Sequence, residues 1–209
     1  MFEFDDLPLS PVDGGTNLLV AGPAMGGTRE LFLRMVAPAP GEEGVILVST
    51  RADAASLVEE LRRNAPAVDP RAVGVVDATS GQGDGEHGPV RTVSGPSDLT
   101  GIGMALTDLY EGFVTRGASR MRVGIDSLST LLLYTDVQTV FRFVHVATGR
   151  VSSADGLGVY AIDPSSHDER TTRTLEQLFD ARVDVRAGDA GRELRVRGRS
   201  DGPTDWRSF

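Results

Sequence analysis

Two glycines near the start of the chain have the spacing of a phosphate-binding loop. Gly22 and Gly27 bracket four residues, follow a short apolar run and precede a segment with helical periodicity. This order is typical of the motif G-x-x-x-x-G-K-[S/T], in which backbone N–H groups at a helix start cradle phosphates. Thr28 stands where the motif has lysine, and Arg29 stands where it has the Ser or Thr that binds magnesium. The loop therefore keeps the backbone of an anion site but lacks its two functional side chains.

A carboxylate ends a later apolar run, where phosphate-loop proteins have a metal-binding residue. Asp126 and Ser127 follow Met121–Ile125, a run that predicts a buried strand. A carboxylate there orients Mg²⁺ and its waters, although an Asp-Ser pair also caps turns. Asp126 would hold a metal only if a magnesium nucleotide binds. The predicted nucleotide-binding set is Gly22, Gly26, Gly27, Thr28, Arg29, Asp126 and Ser127.

Short apolar runs alternate with segments of helical periodicity along the chain. The steps of three and four between apolar residues over 99–113 predict a helix with one buried stripe, and Asp53 is a predicted helix N-cap. Strands alternating with helices predict an α/β fold with a mostly parallel central sheet and a C-terminal β-hairpin. The predicted strands are 17–21, 44–50, 72–76, 121–125 and 156–162, and the hairpin strands are 181–186 and 193–197.

Composition limits the classes of function. The length of 209 residues suits one domain. A net charge of −9 argues against nucleic acid or anionic lipid held by a broad basic face. The sequence has no cysteine, which excludes disulfides, thiolate metal sites and thiol nucleophiles. The acidic start without a basic signal region, and the lack of a long apolar stretch, predict a cytoplasmic protein with no membrane span.

The basic residues are of one type. All 21 are arginine, and lysine is absent from the sequence. An acidic, lysine-free surface suits a protein that stays hydrated in concentrated salt. The composition therefore favours a halophilic archaeal source, with codon bias in a GC-rich genome as the alternative.

Five stretches of the chain resemble a RecA-fold domain of the KaiC-like branch. They are NLLVAGPAMGGTRELFL, GEEGVILVSTRADAASLVEELRR, RVGIDSLSTLLLYTD, LGVYAID and LEQLFDARVDVR. Their order and spacing cover residues 14–198, and with the lysine-free composition they most resemble KaiC-like proteins of haloarchaea. The resemblance implies a three-layer RecA-like P-loop NTPase fold with a degenerate Walker A loop. It leaves 1–13 as an N-terminal extension and 199–209 as a C-terminal tail. Within the unit, residues 79–96 are rich in Gly, Ser and Asp without a period and are predicted to form a long loop.

The resemblance also implies ATP bound between subunits, often in hexameric rings. KaiC-like ATPases carry a Glu pair after the second strand to activate water, but residues 50–53 here read Thr-Arg-Ala-Asp. Their basic segment near the end, which reaches the neighbour's phosphates, reads Arg-Val-Arg-Gly over 195–198. Arg195 and Arg197 are therefore predicted subunit contacts, and the alternative is that they form the exposed face of a strand.

The predicted function follows from what is missing. An ATPase needs a phosphate lysine, a metal hydroxyl, a metal aspartate and a base, and only the aspartate remains. Charge-stabilising and base groups each contribute on the order of 10²-fold or more. We therefore predict a pseudo-ATPase that binds ATP and Mg²⁺ weakly or not at all.

Such a protein would act as a regulatory or protein-interaction module with an unidentified protein partner, as a monomer or small homo-oligomer. The alternative is an ATP-binding regulatory ATPase with a non-standard phosphate loop, in which Arg29 or a neighbour's Arg195 and Arg197 replace the lysine. A nucleic-acid partner is disfavoured by the net charge of −9.

The remaining chemically capable residues favour structural roles. His87, His145 and His167 are not spaced as ligands of one metal. Ser127, Ser129 and Thr130 are possible nucleophiles, but they lie in no G-x-S-x-G motif and have no evident base partner. The 79–96 loop is either a lid or partner-binding element or a solvated insertion. Trp206, the single tryptophan, either packs back on the domain or anchors a partner.

Overall fold

The computed structural model describes residues 1–4, 6–39, 43–79, 88–188, 191–198 and 204–209. Helices and strands alternate over most of this length, as the apolar pattern predicts. In chain order they are β1 (Asn17–Ala21), α1 (Thr28–Val36), β2 (Glu43–Ser49), α2 (Ala54–Asn64), β3 (Val73–Asp77), β4 (Val90–Thr92), α3 (Leu99–Thr115), β5 (Arg120–Ile125), α4 (Leu128–Tyr134), α5 (Val137–Ser153), β6 (Leu157–Ile162), α6 (Glu169–Glu176), β7 (Ala181–Gly188), β8 (Gly191–Arg197) and β9 (Arg207–Ser208).

All nine of these strands form one sheet, in the order β4-β3-β2-β5-β6-β1-β7-β8-β9. The strands from β4 to β7 are parallel, and β8 and β9 continue the sheet in antiparallel pairing. The predicted α/β fold with a mostly parallel sheet and a C-terminal hairpin is confirmed. Because parallel strands end at one edge of a sheet, the segments after β1, β2, β5 and β6 come together there.

Helices cover both faces of the sheet and give the molecule two cores. Strands β1, β2, β3 and β6 are buried along their whole length, as expected of parallel strands covered on both sides. One core lies beneath α1 and α2, and the other lies beneath α3, α4, α5 and α6. Aspartates start several helices; Asp53 accepts the Ser56 N–H, which confirms the predicted cap.

The N-terminal extension, part of the predicted 79–96 loop and the end of the C-terminal tail also pack on the domain. Phe2 and Phe4 are buried in the core beneath α1, and Phe2 forms a β-bridge with Val12. Strand β4 lies inside the predicted 79–96 loop and pairs with β3, whereas residues 80–87 of that loop lie outside the described residues. Strand β9 adds the end of the tail to the hairpin.

Candidate functional site

The glycine-rich loop connects β1 to α1 and closes on itself. Gly27 has a φ of +97°, a left-handed conformation that suits glycine, and α1 begins at the next residue. The Gly26 N–H donates to the Pro23 carbonyl oxygen over 2.9 Å. Thr28 is buried, and its hydroxyl donates to the same oxygen over 3.0 Å. A Cβ on Gly22 would lie 2.6 Å from the Thr28 hydroxyl, so the closed loop requires glycine at position 22.

Arg29 reaches from the first turn of α1 to Asp126 at the end of β5. Its Nη1 donates to Asp126 Oδ2 over 3.1 Å. Its Nε lies 2.9 and 2.8 Å from the two carboxylate oxygens of Glu60 on α2, and its Nη2 lies 2.6 Å from one of them. The Asp126 side chain is 0% exposed and the Arg29 side chain 21%. Two carboxylates therefore hold one largely buried guanidinium.

Thr50, the first residue after β2, donates two hydrogen bonds to the other carboxylate oxygen of Asp126. Its N–H and its hydroxyl donate to Oδ1 over 2.9 and 2.7 Å. With Arg29 on Oδ2, both oxygens of Asp126 have partners within the chain. Thr50 begins the segment in which the family resemblance leads us to expect a Glu pair, so this segment orients Asp126 and supplies no carboxylate beside it.

The electrostatics of this cluster depend on burial. Burial is the largest influence on the pKa of Asp126 and raises it, while the Thr50 hydrogen bonds and the Arg29 charge act in the opposite direction. Burial lowers the pKa of Arg29, but Glu60 and Asp126 outweigh it and leave that pKa raised. The guanidinium therefore stays charged and compensates the buried carboxylate.

A carboxylate also lies on the glycine-rich loop. Asp163 follows β6, and its Oδ2 accepts the Ala24 N–H over 3.2 Å. Its Oδ1 accepts the N–H and the hydroxyl of Ser165 over 2.9 and 2.6 Å. The chain thus places its own anion on a backbone donor of the kind that a phosphate would use.

These residues do not fit a magnesium nucleotide. A P-loop NTPase holds Mg²⁺ between a hydroxyl and the strand-end carboxylate, and its lysine contacts the phosphates. Here Arg29 donates to the Asp126 carboxylate, and the Thr28 hydroxyl donates to the Pro23 carbonyl oxygen. The Ser127 hydroxyl accepts the Thr130 N–H over 3.0 Å as the N-cap of α4. The structure brings the predicted residues together, but Arg29 and Asp126 bond each other, and the hydroxyls of Thr28 and Ser127 bond to neighbouring residues of the chain.

Arg195 and Arg197 lie on the hairpin, where they share one carboxylate. Asp184 on β7 is buried, and its pKa is held below the ordinary range because arginine charges and hydrogen bonds outweigh the effect of burial. Arg182 Nε donates to its Oδ1 over 2.7 Å, Arg195 Nε to its Oδ2 over 3.0 Å, and Arg197 Nη2 to its Oδ1 over 3.1 Å. The contact of Arg195 and Arg197 with a neighbouring subunit stays a prediction.

A family profile covers most of this architecture. The profile of a family of unknown function, DUF7504, matches residues 15–185. The chain belongs to this family. No curated protein matches the chain.

Among solved structures, the DUF7504 chain is similar to a KaiC-like protein from the hyperthermophilic archaeon Pyrococcus horikoshii. The TM-score is 0.59 at 15% sequence identity, and the match covers 88% of this chain and 79% of the other. The likeness shows a KaiC-like RecA fold, which confirms the fold that the sequence resemblance implies. The likeness shows the fold alone, and the chemistry of the site must be argued from this chain's own residues.

Arg192 is a site residue that the sequence reasoning missed. It lies on β8, its side chain runs against Gly27, and its guanidinium pairs with Glu30 in the first turn of α1. In this chain the arginine is therefore a cation that the hairpin supplies at the start of α1. The predicted hairpin strand begins at 193 and left Arg192 out; in the structure β8 begins at Gly191, and its alternation puts Arg192 on the face opposite Arg195.

Ser129 and His167 also meet at the carboxyl edge of the sheet. Ser129 Oγ lies 2.8 Å from His167 Nε2 and accepts the Asp163 N–H over 3.0 Å. The expectation that Ser129 lacks a base partner was therefore wrong, because the turn after β6 brings His167 back over α4. Asp163 and Ser129 are bonded in both directions, which supports a structural role for this pair.

The other candidates contribute no recognisable site. His145 is exposed on α5 and stacks on Phe141, whereas His87 lies outside the described residues. Among the described residues, no cluster of three or more potential metal ligands occurs. No helix in the same part of the chain is long and apolar enough to cross a membrane.

Proposed function

We propose that this domain is a RecA-like pseudo-ATPase that acts as a regulatory or protein-interaction module. One observation carries the proposal: Arg29 bonds Asp126 directly, at the position where the motif has a metal-binding hydroxyl. The chain therefore uses an internal cation where an ATPase uses Mg²⁺. The fold is kept, and its phosphate site serves as a structural junction between α1, α2 and β5.

The energetics support this assignment. To bind Mg²⁺, Asp126 would have to release Arg29, and the guanidinium would lose one of its two carboxylate partners. Breaking a buried ion pair by removing one partner costs about 3–5 kcal/mol. The carboxylate of Asp163 on the loop would repel phosphates as well. A nucleotide would have to overcome both costs without the lysine that normally compensates its charge.

The same junction has a structural role that does not depend on catalysis. Arg29 ties the loop to α2 through Glu60 and to the central strand through Asp126. A rigid carboxyl edge with fixed side chains is suited to present a surface to another protein. We expect the activity of the domain to lie in such contacts, in the cytoplasm of a halophilic archaeon.

Restoring the missing groups tests the proposal. We would compare calorimetric titrations of Mg-ATP into the wild type, Thr28→Lys, Arg29→Thr and the double variant. The wild type and the single variants should give no binding heat at millimolar ATP, and the double variant should gain binding. Circular dichroism checks that each variant is folded. If the wild type bound Mg-ATP as tightly as the double variant does, the proposal would be contradicted.

A second candidate is an ATP-binding regulatory ATPase with a non-standard phosphate loop. The position of Arg192 supports it, because this arginine puts a positive charge beside Gly27 without a lysine. On this alternative the wild type binds ATP, and Arg192→Ala abolishes the binding. The pseudo-ATPase proposal expects no ATP binding in either protein.

A further inference from the structure

A wide groove separates α3 from α5, on the face of the sheet opposite α1 and α2. Its volume is about 1520 Å³. Its floor includes Ile46, Met121 and Val123, and Val123 stays partly exposed although β5 lies in the middle of the sheet. The two helices therefore leave part of the apolar sheet surface uncovered, which a monomeric protein does not require for folding.

Each helix presents a second stripe of residues to this groove, besides the stripe that it buries in the core. The α3 stripe recurs at helical spacing and consists of Thr100, Gly103, Met104, Thr107, Asp108 and Glu111. The α5 stripe consists of Thr139, Arg142, Phe143, Val146 and Arg150. Met104 is 70% exposed and Val146 53%, so large apolar side chains stand in solvent on both walls. Small residues such as Gly103 leave room for a helix to approach closely.

The two walls carry opposite charge. Helix α3 has two acidic residues and no basic one, whereas α5 has two arginines and no acidic residue. Asp108 already pairs with Arg91. Among the described residues, neither Glu111 nor Arg142 forms an ion pair, and Arg142 donates only to a threonine hydroxyl. An acidic wall that faces a basic wall across an apolar floor is complementary to a rotated copy of itself.

The register of the helices makes this complementarity specific. Arg150 Nη1 donates to Thr107 Oγ1 over 2.7 Å and so sets the two residues at one level. Both helices precede adjacent parallel strands and therefore run in the same direction. At 1.5 Å per residue, Arg142 lies about 12 Å from that level toward the helix starts, and Glu111 about 6 Å toward their ends. A two-fold axis that lies in the plane of the groove and crosses both helices obliquely would bring Arg142 of one copy to Glu111 of the other.

We propose that this groove binds a second copy of the chain, which forms a two-fold symmetric dimer through α3 and α5. Met104 and Val146 would lie at the apolar centre, and Glu111 and Arg142 would pair at both ends. The dimer uses neither the glycine-rich loop nor Asp126, so it stands independently of the pseudo-ATPase proposal. It would bury the exposed part of the sheet and two helix faces in each copy, as expected of a stable symmetric interface.

Sedimentation velocity of the full chain in molar KCl gives the first test. The wild type should sediment as a dimer at micromolar concentration. The double variant Met104→Glu and Val146→Glu should sediment as a monomer, because four carboxylates would meet in an apolar centre. Leu133→Glu is the matched control, since Leu133 is 78% exposed on α4 outside the groove. A monomeric wild type, or a dimer that survives the double variant, overturns the proposal.

A charge exchange tests the predicted register. Glu111→Arg and Arg142→Glu should each weaken dimerisation about tenfold, because like charges then meet at both ends. The double variant should return the affinity to the wild-type value. This comparison is made at about 0.15 M salt, where the screening length is about 8 Å. Additive weakening in the double variant would contradict the pairing.

The absence of cysteine from the sequence allows a direct check of the face. Met104→Cys or Val146→Cys should be cross-linked to a dimer by a short bismaleimide. Leu133→Cys should remain monomeric on a denaturing gel. Cross-linking of Leu133→Cys alone would mean that a different face forms the dimer, and the proposal would fail.

Discussion

The Arg29 guanidinium and the Asp126 carboxylate are joined by a 3.1 Å hydrogen bond between Nη1 and Oδ2. The two residues are 97 positions apart in the chain, on the first turn of α1 and at the end of β5. On the function proposed above, this salt bridge stands where a P-loop ATPase holds a metal ion between the loop hydroxyl and the strand-end carboxylate.

Arg29→Ala should destabilise the protein by about 3 kcal/mol, because it leaves the buried Asp126 carboxylate without a counter-charge. Urea unfolding in molar KCl measures the change. Arg71→Ala removes a fully exposed arginine whose one ion-pair partner among the described residues is Asp69; it is the control and should leave the midpoint unchanged. The loss in Arg29→Ala should shrink as the pH falls, since protonation of Asp126 removes the uncompensated charge. An unaltered midpoint in Arg29→Ala would contradict the role of this contact.

Glu43→Gln should cost about 3–5 kcal/mol through a different buried pair. Glu43 Oε2 accepts from Arg122 Nε over 2.9 Å, and the two side chains are 5% and 2% exposed. Glu193→Gln is the matched control, because its partner Arg186 is 50% exposed; we expect a loss of at most about 1 kcal/mol. Equal losses in the two variants, measured by urea unfolding, would show that burial of the pair is not decisive.

The acid limb of stability should depend on Asp184. Its arginine partners hold the pKa of Asp184 below the ordinary value. In the unfolded chain an aspartate has a pKa of about 3.9. The ion-pair contribution is therefore fully present above the unfolded pKa and is lost as the pH falls through the lowered native pKa. Asp184→Asn should lower stability at pH 7 and flatten its dependence on pH.

Urea midpoints between neutral pH and acid check this expectation. Asp205→Asn, which changes an exposed residue of the tail, is the control and should keep the slope of the wild type. An Asp184→Asn protein with the full wild-type slope would show that other carboxylates cause the acid limb.

Trp206 should report the packing of the tail on the hairpin. Arg186 and Arg195 both lie over its ring, at 4.1 and 4.6 Å from the centroid. Of the two alternatives for this residue, the structure therefore supports packing against the domain. Trp206→Ala should lower stability by about 1–2 kcal/mol through the lost cation–π contacts and packing. A blue-shifted tryptophan emission that moves red only on global unfolding would agree; a solvent-exposed emission in the native protein would not.

The fold was predictable where both faces of a strand are buried. The runs at 17–21 and 44–50 read as apolar strands, and the structure has β1 and β2 there within one residue. Strand β4 was not predictable, because three residues with one apolar side chain carry no period. Its pairing with β3 at the sheet edge forms it, and that is a tertiary effect.

The sequence predicts which residues lie at the candidate site, but it does not predict which of them form hydrogen bonds or ion pairs. The spacing of Gly22, Gly27 and Asp126 follows from chain order and the parallel sheet. The contact of Arg29 with Glu60 depends on how α1 packs beside α2, which no local pattern encodes. For the same reason, the approach of His167 to Ser129 could not be read from their 38-residue separation.

Calorimetric titration of Mg-ATP into the wild-type protein in molar KCl tests the central claim most directly, with Asp126→Asn as the control. The account predicts no binding heat and no shift in melting temperature up to millimolar ATP, for either protein. Micromolar binding by the wild type that is lost in Asp126→Asn would contradict it, because Asp126 would then be free to hold a metal–nucleotide complex despite Arg29.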